Sequence, residues 1–112
     1  MKRTWLLLPF LALFLVSCGD DVGPDGGLVG GECRDDGDCE ERCIRKKDFP
    51  SGMCSVSCRD DRDCPSDTMC IDKEGGICAY ECREHADCRR EYICDSKDRK
   101  GAGGEVFICI GD

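Results

Sequence analysis

Cysteine is the residue with the most chemistry to offer here, with thirteen in a chain of 112 residues. A pair of thiols can oxidise to a disulfide, a thiolate can hold zinc, and a single sulfur can carry a lipid. Spacing separates these uses. Twelve of the cysteines form three units of four: Cys33, Cys39, Cys43 and Cys54; Cys58, Cys64, Cys70 and Cys78; Cys82, Cys88, Cys94 and Cys109. The intervening residues number five, three and ten in the first unit, five, five and seven in the second, and five, five and fourteen in the third. The unit starts recur after 25 and then 24 residues, with three residues between one unit and the next. A short period with fixed cysteine offsets marks one small module copied in tandem. Cys18 stands outside the pattern.

Composition points to a disulfide scaffold. Cysteine exceeds a tenth of the chain, and beyond residue 17 large apolar side chains are sparse. Cross-links must replace part of the missing core. Disulfides persist only in an oxidising compartment, which implies an exported protein.

The elements that must position these sulfurs are short. In the second unit Thr68–Ile71 and Ile77–Tyr80 are strand-like, and Asp72 to Gly76 between them is turn-rich, so the pair is predicted to be a β-hairpin. Arg42 to Arg45 and Met53 to Val56 match it in the first unit, with Phe49-Pro50-Ser51-Gly52 in the turn. Tyr92 to Asp95 and Glu105 to Ile110 match it in the third, around a longer loop with Gly101, Gly103 and Gly104. Met53, Ile77 and Ile108 each precede a fourth cysteine, which predicts a repeated core contact. The first two cysteines of each unit flank an acidic turn. The fold class is therefore small and disulfide-rich: three tandem four-cysteine repeats (33–54, 58–78 and 82–109), each a turn plus a short β-hairpin, with little regular secondary structure.

Spacing alone leaves three connectivities open in each unit. Bonds from first to third and second to fourth tie the acidic turn to both strands. A third-to-fourth bond would staple a hairpin already paired and leave the turn loose. The favoured bonds are Cys33–Cys43, Cys39–Cys54, Cys58–Cys70, Cys64–Cys78, Cys82–Cys94 and Cys88–Cys109.

The N-terminus carries its own signal. Lys2 and Arg3 precede an apolar run from Trp5 to Val16, interrupted only by Pro9. Twelve helical residues rise about 18 Å, short of the roughly 30 Å hydrocarbon core, so residues 1–17 are expected to be a signal peptide rather than a span. Leu15-Val16-Ser17-Cys18 resembles the lipobox of bacterial lipoproteins. The resemblance implies a diacylglyceryl group on the Cys18 sulfur, cleavage before Cys18, and acylation of the new amine. Cysteine arithmetic agrees, because assigning Cys18 to an anchor leaves twelve, three complete sets of four. One acyl chain gives marginal membrane binding, whereas lipoproteins of this kind usually carry three. Gly19 follows Cys18 where an aspartate would favour the inner membrane, so the same resemblance favours the outer one.

Residues 19–31 read GDDVGPDGGLVGG, with six glycines and three aspartates. This predicts a flexible tether following the lipidated cysteine, with a mean reach of about 20 Å, and places the cysteine-rich domain at 32–112. Loss of Lys2 and Arg3 leaves 14 basic and 24 acidic residues, a formal charge of −10. That excludes nucleic acid as the natural partner and disfavours an anionic lipid surface.

The cysteine spacing, with aspartate before the second cysteine and glycines before the fourth, resembles the Dickkopf N-terminal cysteine-rich domain over residues 32 to 112. It is similar also to the wider colipase and prokineticin-like group, whose interleaved pairing supports the bonds above. The adjacent cysteine pair of that group is absent here, and receptor binding by its animal members is not carried over.

Other constellations are weaker. Asp35-Asp36-Gly37-Asp38 and Asp60-Asp61-Arg62-Asp63 have the oxygens for calcium but lack the twelve-residue loop with its glycine and final glutamate. The third unit offers Glu84-His85-Ala86-Asp87 instead. The favoured role for these aspartates is to accept backbone N–H bonds in Asx-type turns. Cys39 and Cys43, Cys54 and Cys58, and Cys78 and Cys82 approach zinc-ligand spacing, yet export and complete pairing leave no thiolate for a metal. His85, the single histidine, has no serine or acid in a recognisable catalytic motif. It reads as a solvated turn residue, and no enzyme activity or cofactor is implied. The basic clusters Arg45-Lys46-Lys47 and Lys97 to Lys100 fall in hairpin loops, where recognition commonly resides. Together these readings point to a lipid-anchored envelope protein that binds an envelope or extracellular protein or a glycan. The alternatives are a small protease inhibitor and a structural envelope component.

Overall fold

The computed structural model describes residues 21–112. The signal segment, Cys18, Gly19 and Asp20 lie outside the described residues. Among the described residues no helix is long and apolar enough to cross a membrane.

Three antiparallel hairpins follow one another: β1 (Arg42–Ile44) with β2 (Met53–Ser55), β3 (Thr68–Ile71) with β4 (Ile77–Tyr80), and β5 (Tyr92–Asp98) with β6 (Glu105–Gly111). A single 3-10 turn precedes each, at Asp36–Asp38, Asp61–Asp63 and His85–Asp87. In every hairpin the third cysteine stands opposite the fourth: Cys43 opposite Cys54, Cys70 opposite Cys78, and Cys94 opposite Cys109. The third hairpin runs further than its sequence pattern predicts. Pairing continues through Ser96–Phe107, Lys97–Val106 and Asp98–Glu105, because an antiparallel pair can keep a face in water and so accommodates polar residues.

Isolated two-stranded hairpins are marginal in water, and each one here gains a partner. The chain leaving the first unit runs beside β4, where the Cys78 N–H donates to Val56 O at 3.0 Å and Ser57 bridges Ile77. The chain leaving the second runs beside β6, where the Cys82 N–H donates to Phe107 O and Glu81 bridges Ile108. The first unit has no preceding module, and residues 29–31 take that place. The Cys54 N–H donates to Gly31 O at 2.8 Å, and the Gly30 N–H donates to Cys54 O at 2.9 Å.

This corrects the flexible-tether reading for residues 21–31. The segment folds back on itself through Gly23 N–H to Val29 O and Val29 N–H to Asp21 O, both 2.9 Å. Val29 is fully buried. Gly26, Gly30 and Gly31 permit close backbone approach instead of marking a spacer. The folded domain therefore includes residues from Asp21 onward, eleven residues earlier than the boundary drawn at residue 32.

One core joins the units. Val29, Ile44, Phe49, Met53, Ile71, Ile77, Tyr80, Tyr92, Ile108 and Ile110 form a continuous buried cluster. Met53, Ile77 and Ile108 are each fully buried and meet in that cluster rather than in separate module cores. Phe49, expected in a turn, is also buried because the first hairpin loop folds over the core. The units close on one another as well. Ser55 Oγ donates to Cys78 O at 2.6 Å between the first and second, and the Gly111 N–H donates to Asp48 O at 2.8 Å between the third and first.

Val29 separates a docked segment from a tether. Val29→Ala should cost about 1.5–3 kcal/mol of stability in a denaturant titration. A change within about 0.5 kcal/mol, as for an unpacked residue, would contradict the docking.

Candidate functional site

Among the described residues there are six disulfides: Cys33–Cys43, Cys39–Cys54, Cys58–Cys70, Cys64–Cys78, Cys82–Cys94 and Cys88–Cys109. Each unit is thus joined first to third and second to fourth. Because the third and fourth cysteines are cross-strand neighbours, the two bonds lie side by side. In each unit the sulfurs of three cysteines fall within 4.8 Å of one another. This grouping resembles a metal cluster in its dimensions, but every one of these sulfurs is bonded to another, and a disulfide sulfur is no substitute for a thiolate ligand.

The acidic turns are held by their own carboxylates. Asp38 Oδ2 accepts the Arg34 N–H at 2.8 Å, Asp63 Oδ2 accepts the Arg59 N–H at 2.9 Å, and Asp87 Oδ2 accepts the Arg83 N–H at 2.8 Å. Each bond closes the turn just after a first cysteine. A second set reaches the hairpin. Asp36 Oδ1 accepts the Cys43 N–H and Asp61 Oδ1 the Cys70 N–H, both at 2.9 Å. Asp35 and Asp60 cap the 3-10 turns, accepting from Gly37 and Arg62.

His85 occupies the position of Asp36 and Asp61, three residues after the first cysteine. Its Nδ1 accepts the Cys94 N–H at 3.0 Å. His85 is the exposed turn residue the sequence predicts, and its imidazole also does for the third unit what a carboxylate does for the others.

Charge shifts follow from these bonds. The Arg59 guanidinium holds Asp63 below the usual carboxylate range, aided by the Arg59 N–H. The backbone N–H groups of Arg83 and Glu84 lower Asp87. Burial pushes Asp61 up, but the Cys70 N–H and the Arg99 guanidinium together bring it below its ordinary value. Lys73 lowers Asp48 through a 2.9 Å contact.

The basic clusters diverge in use. Lys97 to Lys100 was a candidate recognition loop, but much of it packs within the molecule. Arg99 pairs with Asp61 and its backbone bridges Ile71, while the Lys100 N–H donates to Cys70 O at 2.9 Å. Lys97 lies 3.5 Å from Asp95. Arg45, Lys46 and Lys47 are all exposed at the tip of the first hairpin. Among the described residues, none of the three takes part in an ion pair.

Sequence reasoning missed the contact that draws the third unit onto the first. Arg89 lies over the Tyr92 ring at 4.2 Å and donates to Tyr92 Oη at 2.9 Å. It also donates to Gly30 O at 3.0 Å and to Gly52 O. The Tyr92 hydroxyl donates to Pro50 O at 3.0 Å, and burial raises this phenol above its ordinary range. Arg89 is one of many charges in this sequence, and no local spacing distinguishes it. No family model, no curated protein and no solved structure matches the chain.

Two outcomes follow. His85→Ala leaves the Cys94 N–H without its acceptor and should cost about 0.5–1.5 kcal/mol, whereas His85→Asp, which restores the residue of the other two units, should recover most of it. Thermal unfolding of both variants by circular dichroism checks this. The lowered carboxylates set the acid response. Their contribution is complete above the unfolded carboxylate value, about 3.9 for aspartate, and is lost as pH falls through the still lower folded values. The melting temperature should therefore hold from pH 7 to pH 5 and drop between pH 4 and pH 2, whereas a flat profile would contradict the turn bonds.

Proposed function

We propose that this chain is a lipid-anchored envelope protein whose rigid domain binds a partner through the tip of its first hairpin. The lipobox-like segment ending at Cys18 supports the anchor, and six disulfides in so small a domain support export to an oxidising compartment. The observation that carries the binding role is the exposed Arg45-Lys46-Lys47 run. Three free cations stand together on a chain whose net charge after signal removal is −10. Such a local reversal of sign selects an acidic protein face or an anionic glycan.

The tip is rigid. Cys43 and Cys54 anchor its base through separate disulfides, Phe49 is buried beneath it, and Asp48 is held by Lys73 and Gly111. Rigidity lowers the entropy cost of binding. The inhibitor alternative is less favoured by the backbone. The Phe49 N–H donates to Lys46 O at 2.8 Å, closing a turn over Lys47 and Asp48. A substrate-like loop would present an extended strand to a protease.

Intact mass of the mature protein should show acylated Cys18 and no free thiol among the other twelve cysteines. A soluble form starting at Gly19 should then capture a partner from envelope extract. Substituting Arg45, Lys46 and Lys47 together by glutamate should reduce that capture at least about tenfold, the effect of 1.4 kcal/mol. Undiminished capture would overturn the tip as the binding site. Stoichiometric inhibition of a trypsin-like protease would favour the alternative.

A further inference from the structure

With residues 21–31 folded into the domain, far less chain separates Cys18 from the folded part than a tether of residues 19–31 would provide. Asp21 is already held, accepting the N–H groups of Leu28 and Val29 at 3.0 and 2.9 Å. Only Gly19 and Asp20 separate it from Cys18. Three residue steps span at most about 11 Å, whatever their conformation. The headgroup layer on each side of a bilayer is about 5–7 Å thick. With Cys18 lipidated, the surface around Asp21 is held against the headgroups or within a few Å of them.

That surface is not uniformly polar. An open groove of about 370 Å³ is lined by Val22, Leu28, Pro65 and Tyr80 together with the carboxylates Asp21, Asp67 and Glu81. Val22 and Leu28 pack only partly against the core. They leave apolar surface free beside the anchor point.

We infer that this groove is the seat of the domain on the bilayer, with Val22, Leu28 and Pro65 resting in the boundary between headgroups and acyl chains. The inference rests on lipidation of Cys18. The occupant is a lipid surface of low negative charge, since Asp67 and Glu81 repel anionic headgroups. Seating fixes the orientation of the domain, so the first hairpin tip is held in a set direction instead of tumbling about a leash.

Fluorescence can read this directly. The only tryptophan, Trp5, lies in the signal segment, so a tryptophan placed in the domain is the sole one in the mature protein. The lipidated protein carrying Leu28→Trp is reconstituted in phosphatidylcholine vesicles whose lipids are brominated in the acyl chains. Its emission should be quenched at least about twofold relative to unbrominated vesicles, while Lys46→Trp at the hairpin tip should be unaffected. Ser66→Trp, an exposed position on the same groove, gives the same reading if Leu28→Trp does not fold. Equal quenching at groove and tip, or none at the groove, would overturn the seat. Intact mass is measured first on each sample. An unacylated Cys18 would refute the anchor itself and is thereby told apart from an anchored domain that fails to seat.

Discussion

A three-residue turn that buries no side chain has nothing apolar with which to hold a β-hairpin. In each unit the turn carries instead two cysteines at its ends, and these reach the two strands separately. The first bonds the third on one strand, and the second bonds the fourth directly across on the other. Turn and hairpin then behave as one rigid piece, even though 3-10 turns contribute no buried residue at all. Everything else depends on this clamp. It sets the register of the strands, it places Met53, Ile77 and Ile108 on the same side, and it lets a modest set of apolar side chains close a single core. A disulfide acts mainly on the unfolded chain, by limiting what it can explore. The clamp therefore helps most where native contacts are fewest.

A clamped hairpin still has open edges, and an unpaired edge invites aggregation. The repeat manages one edge by construction. The chain leaving each unit runs alongside the second strand of the next, so tandem order itself supplies the missing partner. A row of such units needs a cap at its start, as stacked repeats do in general. Residues 29–31 are that cap, and they pair with Cys54 as Val56 pairs with Cys78. Residues 21–28 fold back beneath this cap, so what composition presents as a spacer is structural.

The cysteines, hairpins and turn aspartates were legible because their logic is local. Alternating apolar residues around a glycine-rich turn specify Thr68–Ile71 and Ile77–Tyr80 within thirteen residues. The argument that a third-to-fourth bond would duplicate an existing pairing needed only the hairpin. Glycine was the harder residue to read. Gly52 and Gly76 hold positive φ of 73° and 108°, and a Cβ at either would come within 2.2 or 2.3 Å of the carbonyl oxygen of the unit's first cysteine. Gly26, Gly30 and Gly31 likewise serve close packing, but no periodicity distinguishes them from a linker. Long-range partners were invisible for another reason. Arg89, Arg99 and Lys73 find Gly30, Asp61 and Asp48 only after the units have closed on one another. In a sequence rich in charge, nothing local marks which charges those are.

Comparing equivalent positions shows what the unit requires and what it leaves free. Three residues past the first cysteine, Asp36, Asp61 and His85 differ in charge and size, yet each accepts the N–H of the third cysteine. The requirement there is an acceptor atom, not an anion. Two residues before the fourth cysteine, Gly52 and Gly76 give way to Phe107, which is 60% exposed. The longer third hairpin keeps regular strand pairing at that point and needs no glycine. The loops diverge most. The first leaves three cations in solvent, the second sends Lys73 to Asp48, and the third sends Arg99 to Asp61. Loop length is free because both ends are clamped, and in two of the three units that freedom has been used to fasten neighbours together. The first loop is the one whose basic residues are not committed inside the domain, which is why the binding role is assigned there and not shared among three equal modules.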